Sequence, residues 1–317
     1  MRRRPVLAGA ALALLAAGLA AATVPRPEGA AVHLGSHAWR LPWHGAGGVS
    51  ALLLEPDGAG FTAVTDRGFW IRGSLARDAA GVVRDVDATA RVRIRKSAGF
   101  RRLWGGERDA EALARQGEDV LIAFEGYHRV MRHAGGIWGR PTRLGAPADF
   151  SALPLNRGIE ALATAPDGTL VAVAEAPRLE DGPLQAWRHA GGAWVRAFTL
   201  PRRGGFLATA ADFGPDGRLY LLERSFWLVG FRSRLRSFDA GGGDERVEFT
   251  SRLWAHDNLE GLSVWRDAGG RLRATMVSDD NLRGIQRTEF VDYLLDGGAA
   301  GVAGPGTRTA PASGGGG

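Results

Sequence analysis

The sequence has no cysteine and one lysine, and no long apolar run beyond its first two dozen residues. Each absence excludes something. Without Cys there are no disulfides, no thiolate metal sites, no cysteine nucleophile and no lipid anchor on an N-terminal Cys. With Lys96 as the sole lysine, basic character comes almost wholly from arginine, which hardly titrates. No later stretch approaches the roughly 20 apolar residues of a membrane-spanning helix. A P-loop and a His-Glu-x-x-His pair are both missing. Ser50 lies in Gly48-Val49-Ser50-Ala51-Leu52, which is not a Gly-x-Ser-x-Gly elbow, so a serine-hydrolase mechanism lacks support.

What is present is 47 Gly, 15 Pro and 10 Trp in 317 residues, with 45% hydrophobic and 23% charged residues. That is an ordinary globular composition, and its glycines point to many turns between short strands. The N-terminus reads as an export signal over residues 1–22. Arg2-Arg3-Arg4 precede an apolar run from Val6 to Leu19 and a small-residue site at Ala20-Ala21-Ala22. Both general and twin-arginine export fit, and retention as an anchor is the alternative to cleavage. Cleavage would lower the net charge from +6 to +3, because three arginines leave and no acids. Residues 23–31 read as a linker, 32–295 as one domain and 296–317 as a disordered Gly/Ala/Pro-rich tail. The one basic stretch, Arg91 to Arg102, reads as a strand with a solvated face in preference to a nucleic-acid patch.

One unit recurs five times. Its starts are Ser50, Glu111, Glu160, Thr209 and Glu260, spaced 61, 49, 49 and 51 residues apart. Each start leads into a small-residue pair or an Ala/Gly-Leu pair, a turn, a β-rich run and an acid. Three turns are Pro-Asp-Gly, at 56–58, 166–168 and 215–217, where Pro presets one turn angle and Gly accepts positive φ. A second hairpin repeats as Arg132-His133-Ala134-Gly135-Gly136 and Arg188-His189-Ala190-Gly191-Gly192. The period matches a four-stranded propeller blade. The expected fold is an all-β propeller of four-stranded antiparallel blades, five in number, with six left open by the long first interval. A sandwich is the alternative. The last unit lacks its fourth strand, and His33 to Leu41 is expected to supply it and close the ring.

Antiparallel pairing brings the start of each first strand and the end of each second strand to the same rim. The residues there are polar in every unit, so one mouth should gather Asp66-Arg67, Glu111, Glu125 with His128-Arg129, Glu160, Glu175, Glu223-Arg224, Asn258, Glu260 and Asp279. Asn156 lies just upstream of its own unit. Two readings stand side by side: a ring of Arg–carboxylate pairs that sets blade register, or a ligand site. Under the second, Glu111, Glu160, Glu260, Asn258 and Asp279 offer only oxygens, which suits Ca²⁺. Arg67, Arg129 and Arg224 suit an anionic group, with Glu223 beside them. His128 is the best general acid/base candidate, with Glu125 and Asp66 as carboxylate partners.

In this order and spacing, the pieces resemble the bacterial phytase-like family described by an "esterase-like activity of phytase". They are Val64-Thr65-Asp66-Arg67-Gly68, Asp109-Ala110-Glu111-Ala112-Leu113, Ala123-Phe124-Glu125 with Tyr127-His128-Arg129, and Leu153 to Leu162. The series continues with Leu221-Leu222-Glu223-Arg224, Asp257-Asn258-Leu259-Glu260-Gly261-Leu262 and Ser278-Asp279-Asp280-Asn281. The resemblance covers residues 47–290 and departs at Thr209-Ala210, where the family tends to have Thr-Asp; Asp212 is close but out of phase. It implies an exported propeller hydrolase. The expectation is therefore a periplasmic or secreted monomer acting on a small anionic phosphate or carboxylic ester, Ca²⁺-assisted, with no nucleic-acid partner and no stable membrane insertion after cleavage. The alternative is a non-catalytic propeller that binds a ligand or partner.

Overall fold

The computed structural model describes residues 28–44, 46–95, 105–145, 147, 158–176, 182–227, 230–282 and 286–295. The segments read as a signal at 1–22 and a tail at 296–317, and Asn156, lie outside these. Twenty strands form five four-stranded antiparallel sheets. Blade one holds β2 (Val49–Leu54), β3 (Gly60–Thr65), β4 (Phe69–Arg77) and β5 (Val83–Arg93). Blade two holds β6 (Ala110–Gln116), β7 (Asp119–Phe124), β8 (Arg129–His133) and β9 (Pro141–Gly145). Blade three holds β10 (Ile159–Thr164), β11 (Leu170–Ala174), β12 (Leu184–Ala190) and β13 (Ala193–Leu200). Blade four holds β14 (Leu207–Phe213), β15 (Leu219–Trp227), β16 (Gly230–Phe238) and β17 (Arg246–Thr250). Blade five holds β18 (Asn258–Arg266), β19 (Leu272–Asp279) and β20 (Glu289–Leu294), and its fourth strand is β1 (Val32–Ala38).

The fold is thus a five-bladed β-propeller, which decides between the five and six blades left open by the sequence. The long first interval is taken up by the 11-residue β5 and the connection after it. Closure follows the sequence expectation: β1 pairs antiparallel with β20, Val32 opposite Leu294 and Ala38 opposite Glu289. The chain also bridges blade four on its way in, where Thr250 N–H donates to Glu28 O at 2.8 Å and Ala31 N–H to Glu248 O at 3.0 Å.

The turns form for the chemical reasons read above. Gly58, Gly168 and Gly217 sit at φ +71°, +82° and +80°. The Asp before each caps the turn: Asp57, Asp167 and Asp216 accept the N–H of Ala59, Thr169 and Arg218 at 2.9, 2.8 and 3.3 Å. Five apolar clusters fill the five blade interfaces, one for each neighbouring pair. The inner strands β2, β6, β10, β14 and β18 contact one another around the axis. Their alternating small and Leu side chains plug it, leaving a cavity of about 10 Å³ lined by Ala51, Leu52, Ala112, Leu113, Leu162, Ala210, Ala211 and Leu262 under Glu111. That is room for a single water, so the mouth has an apolar floor. Among the described residues, no helix is long and apolar enough to cross a membrane.

Removing residues 28–38 should leave β20 as an open edge and unlatch blade four. The expected outcome is a lowered melting temperature with self-association, read by light scattering during a thermal ramp. A monomer of unchanged stability would contradict this account of closure.

Candidate functional site

Every inner strand carries a β-bulge at the same place. Register shifts fall between Val49 and Ala51, Ala110 and Ala112, Ile159 and Ala161, Ala208 and Ala210, and Leu259 and Gly261. The unpaired residues are therefore Ser50, Glu111, Glu160, Thr209 and Glu260, the five unit starts found in the sequence. A bulge sets two residues against one, bends the strand and re-aims a side chain. Blades one and four use a hydroxyl at the bulge for bracing. Ser50 Oγ donates to Ala110 O, and Thr209 Oγ1 donates to Leu259 O at 3.1 Å. Each acceptor immediately precedes the bulged Glu of the next blade, Glu111 or Glu260.

One step above the bulge, the second strand of each blade delivers Asp66, Glu125, Glu175, Arg224 and Asp279. The first three donate their N–H to Gly48, Asp109 and Gly158, and the last two pair with Leu207 and Asn258. This register corrects the linear alignment of blade four. Glu223 pairs with Ala208, one residue off the ring, and its side chain lies on the other face of β15. There it is buried between Arg234 and Arg236, at 2.8 and 2.6 Å, as a structural anchor instead of a mouth residue. Arg224 takes the ring position that is a carboxylate in the other four blades.

The mouth accordingly gathers Asp66, Asp109, Glu111, Glu125, Glu160, Glu175, Glu260 and Asp279 around Arg224. Arg224 Nη1 donates to Glu260 Oε1 and, at 2.7 Å, to Asn258 Oδ1, while Nη2 lies 3.9 Å from Glu175. Burial opposes its charge, but Glu260, Glu160, Glu175 and Glu111 outweigh that and raise its pKa. Its donors serve the acids, so the anion-binding role expected for Arg224 has no free fork behind it. Asn258 Nδ2 also donates to Glu260, at 2.7 Å, so Asn258 and Glu260 are held by Arg224 and by each other. Arg129 is committed too. It is buried, donates to Tyr127 O at 2.9 Å and to Glu107 O, and lies 4.0 Å over the Phe124 ring. Burial lowers its pKa to about 10. Arg67 is exposed beside Asp66.

Eight carboxylates with Arg224 among them and Arg67 at the edge outnumber their cationic partners, unlike the neutralised ring that a purely structural role would need. Burial and mutual repulsion raise the pKa values of six of them. Asp66 rises to about 6, through burial and then Asp109, against Arg67. Glu125 rises to about 7, through burial, Asp109 and Glu175. Asp279 rises to about 8, through burial and Glu260. Glu111, Glu160 and Glu260 are raised as well, by burial first; repulsion from neighbouring carboxylates adds to it, and Arg224 offsets part of it at Glu160 and Glu260. Asp66 Oδ1 and Glu125 Oε1 are buried with no hydrogen-bond partner among the described residues.

Two groups bring one oxygen from each of three carboxylates within 4.8 Å of one another: Asp109, Glu111 and Glu125, and Glu125, Glu160 and Glu175. All-oxygen donors with an orphaned buried oxygen fit a hard cation. Of the five ligands expected from sequence, Glu111 and Glu160 belong to these groups; Glu260, Asn258 and Asp279 stand on the opposite arc. Asp109 and Glu175 were not among those ligands. The signal for Asp109 was present, because Asp109-x-Glu111-Ala-Leu113 and Asn258-x-Glu260-Gly-Leu262 are the same segment in two blades. His128 is half-buried at the β7–β8 turn. It lies against Gly158, where an added Cβ would come 2.7 Å from Nδ1 and 3.3 Å from Glu125 Cγ. Blade one has Gly48 at the Asp109 position. Its φ is +69°, and a Cβ would fall 2.1 Å from Asp66 Oδ1, so no side chain fits.

A larger cavity of about 350 Å³ opens at the opposite end, lined by Leu53, Pro56, Phe213 and Trp265. Its carboxylates are already engaged: Asp212 accepts Val264 N–H at 2.7 Å and Glu55 pairs with Arg115 at 2.9 Å. The unbalanced charge is at the mouth.

The fold and the mouth define a propeller with an acid-lined central cleft. The chain belongs to the phytase-like family, described as "esterase-like activity of phytase", whose profile matches residues 44–282. No curated protein matches the sequence. Among solved structures it is similar to a gluconolactonase of Xanthomonas campestris, at 14% identity over 74% of this chain and 68% of that one, TM-score 0.42. An α-L-arabinofuranosidase of Podospora anserina, solved with cellotriose, matches at 13% identity over 80% and 93%, TM-score 0.46.

A carboxyl whose folded pKa exceeds its unfolded value holds more protons folded than unfolded between the two, so stability falls as pH rises through that window. For Asp66, Glu125 and Asp279 the window runs from about pH 4 to about pH 8. In chelator, the melting temperature should drop across it. Ca²⁺ should restore it at the alkaline end and do little at the acid end. A flat profile, or equal Ca²⁺ effects at both ends, would refute the assignment.

Proposed function

We propose that this protein is an exported hydrolase of phosphate or carboxylic esters, acting at the propeller mouth with a divalent cation, Ca²⁺ by donor chemistry. The observation that carries the reading is the surplus of buried and half-buried carboxylates at the mouth, with Glu125 shared by both three-carboxylate groups. Asp109, Glu111 and Glu125 would hold the cation, because Arg224 already sits against the Glu175 side of the ring. When bound there, a hard cation supplies Lewis-acid polarisation of an ester oxygen. The chain's own groups do the remainder. Arg67, exposed beside Asp66, meets the anionic part of the substrate. His128, next to Glu125, moves the proton between water and leaving group. Asp66, with its pKa near 6, is poised as a second proton acceptor. The apolar plug beneath limits water to the mouth side. The signal-like N-terminus supports export to the periplasm or beyond.

Calorimetry of the purified protein should give saturable Ca²⁺ binding that Glu111→Gln and Glu125→Gln abolish. Hydrolysis of nitrophenyl acetate or nitrophenyl phosphate should depend on Ca²⁺, and His128→Ala should lower kcat by about 100-fold. Tight Ca²⁺ binding with no turnover of these esters or of phytate would assign the mouth to binding alone.

A further inference from the structure

The hairpin of β15 and β16 differs from its counterparts. β3, β7 and β11 end at the ring with five or six residues, whereas β15 runs for nine and pairs with β16 out to Trp227 opposite Gly230. The added length rises above the mouth. Phe226 is two residues past Arg224 on the same strand face, about 6.6 Å farther along a strand that rises roughly 3.3 Å per residue. Its cross-strand partner is Phe231, with ring centroids 5.2 Å apart. Trp227 follows, and Trp254, in the next connection, lies over Gly230.

These rings are open to solvent: Phe226 is 64% exposed, Trp227 42% and Trp254 63%. Tyr127 and Leu282, also exposed, stand on the matching turns of blades two and five. Most of the exposed large apolar side chains of the described residues are thus at the end where the acids open. Concentrated exposed apolar surface marks a contact site. Arg67 is the arginine exposed beside the acids, and the other arginines named at this end are engaged. Arg129 and Arg224 are committed as above, Arg234 and Arg236 hold Glu223, and Arg232 Nε donates to Ser251 O at 3.1 Å. A substrate carrying many phosphates would meet carboxylates and aromatic rings in place of a cationic bed.

We propose that the mouth takes esters with a single oxyanion-forming head and an apolar acyl or aryl body. The head lies on the acid ring, and the body lies on Phe226, Phe231, Trp227 and Trp254. This rests on the hydrolase reading for the head group, while the collar stands on its own geometry.

Titration of the full chain with octanoate and with acetate, each with and without Ca²⁺, tests the collar by binding alone. Octanoate should bind at least about tenfold more tightly than acetate, since several methylenes leave water. Phe226→Ala and Trp227→Ala should each narrow that ratio about threefold or more and leave acetate binding unchanged. Phe226→Leu should keep most of the preference, and melting curves confirm that each variant is folded. Equal affinity for the two acids, or a ratio indifferent to Phe226→Ala, overturns the proposal. So does adsorption to phosphatidylglycerol vesicles with no octanoate preference, which would assign the hairpin to a lipid surface. Ca²⁺ binding without octanoate preference sinks the collar and spares the hydrolase reading; octanoate preference without Ca²⁺ binding does the reverse.

Discussion

A single extra residue near the start of each inner strand is the constraint on which the mouth depends. Without the bulges at Ser50, Glu111, Glu160, Thr209 and Glu260, strict alternation would send these side chains into the blade interfaces or against the partner strand. With them, five short strands turn five polar groups to one axis. The bulges tolerate this because the next residue is small in every blade (Ala51, Ala112, Ala161, Ala210 or Gly261). At Gly261 a Cβ would come 2.9 Å from Leu52 N and 2.6 Å from Val277 Cγ1. Two of the five bulged residues serve the scaffold, as Ser50 and Thr209 lock onto the carbonyls that position Glu111 and Glu260.

The division of labour explains how such a charge cluster persists. Acids gathered on an apolar floor are destabilising when ionised and unpaired. Arg224 relieves one arc by taking Glu260, Asn258 and the edge of Glu175. On the arc of blades one and two Arg67 offsets part of the charge at Asp66, yet Asp66 Oδ1 and Glu125 Oε1 are left without hydrogen-bond partners among the described residues. The asymmetry gives the mouth a satisfied side and an unsatisfied side. A protein that keeps a raised-pKa cluster in a cleft bears a stability cost that function accounts for better than packing does.

Much of the fold was legible because its signals are local. Pro-Asp-Gly turns, Gly-Gly hairpins and a repeat near 50 residues each follow from backbone sterics, and a missing last strand together with a lone first strand implies closure. The site was legible only to within a residue. Glu223 and Arg224 are neighbours, and an acid aligned on acids looked right. Strand pairing sends Glu223 to Arg234 and Arg236 and turns Arg224 to the axis, because adjacent side chains point to opposite faces. Asp109 stands two residues before its repeat's start at Glu111, and its place at the mouth follows from strand pairing, where its carbonyl accepts the N–H of Glu125. Arg129 read as an anion binder, yet its donors belong to a turn carbonyl and to Glu107 O.

The sequence by itself determined the blade repeat, the closing strand and the end of the propeller at which the polar residues meet, since periodicity and antiparallel pairing need no long-range detail. Only the tertiary structure decided which of those residues face one another. The reason is register: a shift of one residue exchanges the two faces of a strand. Whether a carboxylate finds an arginine, a peptide N–H or another carboxylate then depends on the neighbouring blade, as Glu260 depends on Arg224, 36 residues away in the chain.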